Sequence, residues 1–248
     1  MTTRPPHSRP VTTDIFQHGP VRNNVVQLIG PARRPPLAVP VLLIAAFSAL
    51  LTGVLTASPV RNADLQVRAW VLTHQNARVT ELSTSITVAA APSTSVTLLL
   101  LFAGVLSWRQ RRAAPFALAA LAVGALTTTV LGIKVLVGRA GPALRNGHIV
   151  TGYFPSGHTT SAFVCFGLMA LLLTRRAPDW RYGPAFRVGL AVAAVVGAAM
   201  VYSNFHWLSD VLAGWALGGT LVWMAVAVAP RVAGSSRPVA QPTPSILQ

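Results

Sequence analysis

Residues 114–137 read APFALAALAVGALTTTVLGIKVLV, and no charge interrupts them before Lys134. A membrane-spanning helix needs about 20 predominantly apolar residues; this stretch has that length and composition. Lys134 is also the only lysine in a chain with 20 basic residues. An ionisable side chain in a span costs roughly 2.5–3.5 kcal/mol at its centre, so such a residue reads as functional by default.

Further runs of the same kind lie on either side. Together they predict six spans: Leu37–Ala57, Ser85–Ser107, Ala114–Val137, Thr159–Thr174, Phe186–Tyr202 and Asp210–Ala229. The whole chain of 248 residues is 52% hydrophobic and only 10% charged, whereas a soluble domain carries about 25% charged residues. The predicted fold is therefore all-α, a polytopic six-helix transmembrane bundle. The net charge of +15 does not indicate nucleic acid, because the arginines fall in the short segments between apolar runs instead of on one folded face. Arg109, Arg111 and Arg112 follow the second run, and Arg175, Arg176, Arg181 and Arg187 follow the fourth. With the basic segments inside, both termini face the cytoplasm. The loops after spans three and five then face outward together.

Three blocks do not read as spans. Residues 1–36 are rich in Pro, Arg and Thr without hydrophobic periodicity, which predicts a flexible basic tail without a signal peptide. Residues 230–248 predict a second tail, leaving 37–229 as the membrane domain. Between the first two runs, residues 58–84 mix Arg61, Asp64, Arg68 and Glu81 with Leu65, Val67, Trp70 and Val71. That mixture predicts an interfacial amphipathic segment with Trp70 at headgroup level. The single cysteine, Cys165, lies inside an apolar run and reads as a small buried hydrophobe.

The chemistry-bearing residues sit at the ends of the runs. Phe154-Pro155-Ser156-Gly157-His158 precedes the fourth: Pro and Gly fix a turn, Ser156 or Thr159 can cap the helix, and its free amides form an anion cradle. His206-Trp207-Leu208-Ser209-Asp210 leads into the sixth. His206 and Asp210 share a face if the segment is helical, so the carboxylate can orient the imidazole and raise its basicity. Lys134 and the turn amides suit the equatorial oxygens of a phosphoryl group. His206 suits attack on phosphorus and His158 suits protonation of the leaving oxygen. No Asp/Glu cluster has metal-ligand spacing, so a route without metal or other cofactor is expected.

These residues resemble the type 2 phosphatidic acid phosphatase (lipid phosphate phosphatase) superfamily, which includes undecaprenyl pyrophosphate phosphatases and the soluble vanadium haloperoxidases. The family pattern has three parts: Lys, six residues, Arg-Pro; Pro-Ser-Gly-His; and Ser-Arg, five residues, His, three residues, Asp. The resemblance covers about residues 37–229. It implies His206 as nucleophile, Asp210 as its orienting partner and His158 as general acid, with Lys134, Ser156 and the Gly157 amide binding phosphate. The implied partners are a lipid phosphate or pyrophosphate (polyprenyl or glycerolipid) and the bilayer of a bacterial plasma membrane.

Two positions depart from the pattern. Gly141-Pro142 stands where the family has Arg-Pro, and Ala199-Met200 stands where it has Ser-Arg. A charged bidentate contact is a strong term in a phosphate site, so replacements matter. Arg139, in a Gly-Arg that many members carry, is a candidate phosphate ligand; Arg145, His148, Ser203 and Asn204 are further ones. The departures leave a second reading open, a non-catalytic relative that binds lipid phosphate. A haloperoxidase is disfavoured by the six spans and the absent arginines.

Overall fold

The ends of the helices are written in the sequence. Ser58 accepts a hydrogen bond from the Val60 amide at 3.2 Å and Pro59 occupies the first turn, so α2 (Pro59–Thr73) starts there. Asn76 caps α3 (Ala77–Ala89) through the amides of Arg78 and Val79. α5 (Ala114–Val137) stops at Gly138, whose φ of 56° lies in the left-handed region that glycine enters without strain.

The computed structural model describes residues 36–56, 58–143, 148–173 and 182–234. Within them the chain is all-α. Besides α2, α3 and α5 it contains α1 (Ala38–Leu55), α4 (Pro92–Gln110), α6 (Gly157–Leu173), α7 (Tyr182–Tyr202) and α8 (Leu208–Gly234). Residues 1–35 and 235–248, with most of both expected tails, lie outside the described residues. So do 144–147, with Arg145, and 174–181, with Arg175, Arg176 and Arg181.

The apolar runs do not map one to one onto helices. α1, α5, α7 and α8 are each long and apolar enough to cross a membrane. The expected run Ser85–Ser107 is divided between α3 and α4, which meet at a 48° bend. Pro92 explains the division, since its ring and missing N–H prevent one helix from running through. Counted as one span, this pair makes five, and α6, at 17 residues, is a shorter apolar helix. α8 runs on through Pro230 to Gly234, past the expected end at Ala229.

α6 is the most enclosed of these helices. Phe163, Val164, Cys165, Leu168 and Leu171 are buried, and α4, α5, α7 and α8 all pack against it. Close approach by α7 depends on Gly189, where a Cβ would lie 2.5 Å from the Phe163 carbonyl oxygen. Small residues at such crossings let helices meet at backbone distance where lipid offers no hydrophobic drive. Outer faces stay apolar: Val41 and Leu42 on α1 and Val135 and Leu136 on α5 are all exposed.

This arrangement brings two turns together. The Ser156 amide, just before α6, donates to the Asp210 carbonyl in the first turn of α8 at 3.0 Å. The turn joining α2 and α3 is pinned to the end of α7: the Tyr202 hydroxyl accepts from the Asn76 amide at 2.9 Å and donates to the His74 carbonyl at 3.2 Å.

Candidate functional site

Asp210 is fully buried at the start of α8 and fixes the local structure. Its Oδ2 accepts from the Trp207 amide at 3.2 Å and lies 3.0 Å from His206 Nδ1. Asn204, at a φ of 56°, makes the turn out of α7, and the amides of Phe205 and His206 fold back onto the Met200 carbonyl. With the Nδ1 proton directed at Asp210, Nε2 carries the lone pair.

Behind Asp210 stands Arg139. Its Nη1 donates to Asp210 Oδ1 at 2.5 Å and to Ser209 Oγ at 2.7 Å, while Nη2 donates to Asp64 Oδ2 at 2.6 Å. Asp64, buried on α2, also accepts from the Ser209 amide at 2.9 Å and from its hydroxyl at 2.6 Å. The guanidinium is thus shared by two carboxylates and capped by Trp207, whose ring centroid lies 5.4 Å away. Burial pushes the His206 pKa below its usual value, and the hydrogen bond and charge of Asp210 oppose that shift.

A cavity of about 530 Å³ opens in front of His206. Lys134, Gly157, His158, Tyr153 and Met200 line it with His206, and residues beside the α3–α4 bend close another side. Lys134 Nζ donates to the Gly152 carbonyl, which holds the ammonium at the cavity wall. A Cβ on Gly157 would lie 3.7 Å from Lys134 Cε, so the start of α6 and the ammonium are neighbours. A helix start beside a cation is an arrangement that favours an anion.

The structure therefore gathers Lys134, Gly157, His158 and His206 around one space and sets Asp210 directly behind His206. Two expected phosphate ligands lie elsewhere. Ser156 is fully buried as the residue before α6; its hydroxyl meets the Met200 sulfur at 3.7 Å and the Thr159 amide at 3.5 Å, and it does not line the cavity. Arg139 does not line it either, because both guanidinium edges are taken by carboxylates. Asn204 accepts from Arg68 at 3.2 Å instead of facing the cavity.

Sequence reasoning missed Asp64, Ser209 and Tyr153. Asp64 was grouped with an amphipathic surface, yet the chain has only five acidic residues. Their scarcity was the available signal. Tyr153 lies at 5.1 Å between ring centroids from His206, tilted by 59°.

Comparison with known proteins places the chain in a family. The family model described as PAP2 superfamily matches residues 95–233. A lipid A 1-phosphatase of Porphyromonas gingivalis is 45% identical over 65 residues, which are 26% of this chain and 14% of that protein. An undecaprenyl-diphosphatase of Sulfolobus acidocaldarius is 36% identical over 75 residues, or 30% of this chain and 32% of that one. The matched stretches thus span at most a third of either curated relative. Among solved structures, a transmembrane PAP2 type phosphatidylglycerolphosphate phosphatase from Bacillus subtilis superposes with a TM-score of 0.67 at 23% identity. That superposition covers 76% of this chain and 94% of the other, a likeness of fold.

Proposed function

This chain belongs to the PAP2 superfamily, and from that membership we propose that it is an integral membrane phosphatase that hydrolyses a phosphomonoester or pyrophosphate of a lipid. The observation that carries the reading is the His206–Asp210 pair, 3.0 Å apart, facing a cavity shared with His158 and Lys134. The names of the relatives, a lipid A 1-phosphatase and an undecaprenyl-diphosphatase, support a polyprenyl or glycolipid phosphate, and a glycerolipid phosphate fits the same chemistry.

In the proposed mechanism His206 Nε2 attacks phosphorus while Nδ1 stays hydrogen-bonded to Asp210. A P–N bond forms, the P–O bond to the lipid breaks, and His158 gives its proton to the departing oxygen. Water then attacks the phosphohistidine, His158 takes a proton from it, and inorganic phosphate leaves. Lys134 and the amides at the start of α6 hold the non-bridging oxygens throughout. No step calls on a metal or other cofactor.

In the same proposal α6 completes a six-span bundle with the bent α3–α4 pair, and α2 lies at the interface. The membrane domain occupies 37–229 between basic cytoplasmic tails, and the cavity faces outward. Both termini then meet the positive-inside expectation.

Gly141 and Met200 favour a second reading, in which the cavity binds lipid phosphate without turnover. Phosphate release by detergent-purified protein, measured across lipid phosphates and pyrophosphates beside His206→Ala, separates the two. Turnover abolished in the variant supports the phosphatase. A folded protein that binds lipid phosphate and releases none supports the alternative.

A further inference from the structure

Gly141 stands where the family pattern has the arginine of Arg-Pro, and the space above it is occupied. A Cβ built on Gly141 would lie 2.5, 2.6 and 2.8 Å from Cζ, Cε2 and Cε1 of Tyr153. Real Cβ atoms do not come so close to an aromatic ring, so a side chain at 141 and the ring at its present place exclude each other. The backbone holds the ring there: the Gly141 amide donates to the Val150 carbonyl at 3.0 Å, and the Tyr153 amide donates to the Arg139 carbonyl at 3.1 Å. From that position Tyr153 lines the cavity with Lys134 and His206. Among the described residues its hydroxyl meets no hydrogen-bond partner, although a hydroxyl can both donate and accept.

We propose that Gly141 and Tyr153 form a coupled exchange, in which Tyr153 takes the place of the motif arginine and meets the substrate's phosphoryl group with a neutral O–H donor. The inference rests on the phosphatase reading above and deepens it by naming a substrate-contacting residue. Its consequence is a site that depends less on charge. Met200, at the other arginine position, also lines the cavity, and Lys134 is the only lysine or arginine in the lining among the described residues. A neutral donor forms a weaker hydrogen bond to an anion than a guanidinium fork does, so inorganic phosphate should inhibit this protein only weakly.

The test compares Tyr153→Phe, Tyr153→Ala, Gly141→Arg and the double variant Gly141→Arg/Tyr153→Ala in detergent. The readouts are kcat/KM on the best lipid phosphate, the inhibition constant of inorganic phosphate, and the melting temperature. Tyr153→Phe should lower kcat/KM roughly tenfold to a hundredfold, the range for a hydrogen bond to a charged group, at an unchanged melting temperature. Gly141→Arg alone should inactivate, because the ring blocks it. The double variant should exceed Tyr153→Ala in kcat/KM and bind inorganic phosphate at least about tenfold more tightly, a non-additivity expected of residues in contact. Wild-type kcat/KM in Tyr153→Phe, or a double variant no better than Tyr153→Ala, would overturn the proposal. If the unaltered protein turns over no lipid phosphate, the phosphatase reading fails by itself. Binding of inorganic phosphate, followed by phosphorus NMR, then decides on Tyr153: weakening in Tyr153→Phe supports its role, and unchanged binding refutes it.

Discussion

Arg139 Nη2 and Asp64 Oδ2 lie 2.6 Å apart, joining residues 75 positions distant and tying α2 to the segment that follows α5. The same guanidinium holds Asp210, so a residue outside the cavity sets the position of the orienting carboxylate. Removing one partner of a buried ion pair costs roughly 3–5 kcal/mol, because the other is left uncompensated. Asp64→Ala should therefore lower the melting temperature in detergent and reduce kcat more than it raises KM. Asp64→Asn, which keeps a carbonyl acceptor for Arg139, should recover part of the stability.

Protonation of His206 should limit activity in acid. Burial lowers its pKa first of all, Lys134 and Arg139 push in the same direction, and the hydrogen bond and charge of Asp210 oppose them. A group with its folded pKa depressed is neutral through the usual titration range, so the acid limb of the kcat/KM profile should lie below the ordinary 6.5. The sign for stability is the same. The unfolded chain takes up the proton more readily, so this stability contribution is complete above about pH 6.5 and falls as pH drops toward the folded pKa. Asp210→Asn removes the opposing charge and should move the acid limb lower still while cutting the rate. A limb above the ordinary value would contradict the buried, neutral nucleophile.

Lys134 should act through its charge. Lys134→Met keeps most of the apolar stem in α5 and removes the ammonium held at the Gly152 carbonyl. A charge-assisted contact to phosphate is worth roughly 1.5–3 kcal/mol, so kcat/KM should fall by about one to two orders of magnitude. An equal loss for a lipid monoester and a lipid pyrophosphate would place the ammonium at the reacting phosphorus. A loss confined to the pyrophosphate would place it at the second phosphate.

Much of this site is legible in the sequence. The spacing of His206 and Asp210 pointed to their pairing, and the Pro155-Ser156-Gly157-His158 turn to a helix start, because local chain geometry alone fixes both. Segment 58–84 read as one amphipathic stretch, yet Ser58-Pro59 and Asn76 cap two separate helices and Pro92 bends the next. Those signals were local and available. Arg139 was a different case. Its Gly-Arg context suggested a phosphate ligand, and only the distant Asp64 shows why its fork is already occupied. The fit of Tyr153 over Gly141 is a tertiary contact that no spacing reveals.

The central claim is that His206 carries the phosphoryl group between lipid and water. Mixing the protein with a phosphorus-labelled lipid phosphate, quenching within the first turnover under denaturing alkaline conditions, and mapping the labelled peptide addresses it directly. The account predicts an acid-labile, alkali-stable phosphoryl group on the peptide bearing His206, absent from His206→Ala, which releases no phosphate. Steady turnover by His206→Ala, or a label on another residue, would contradict it.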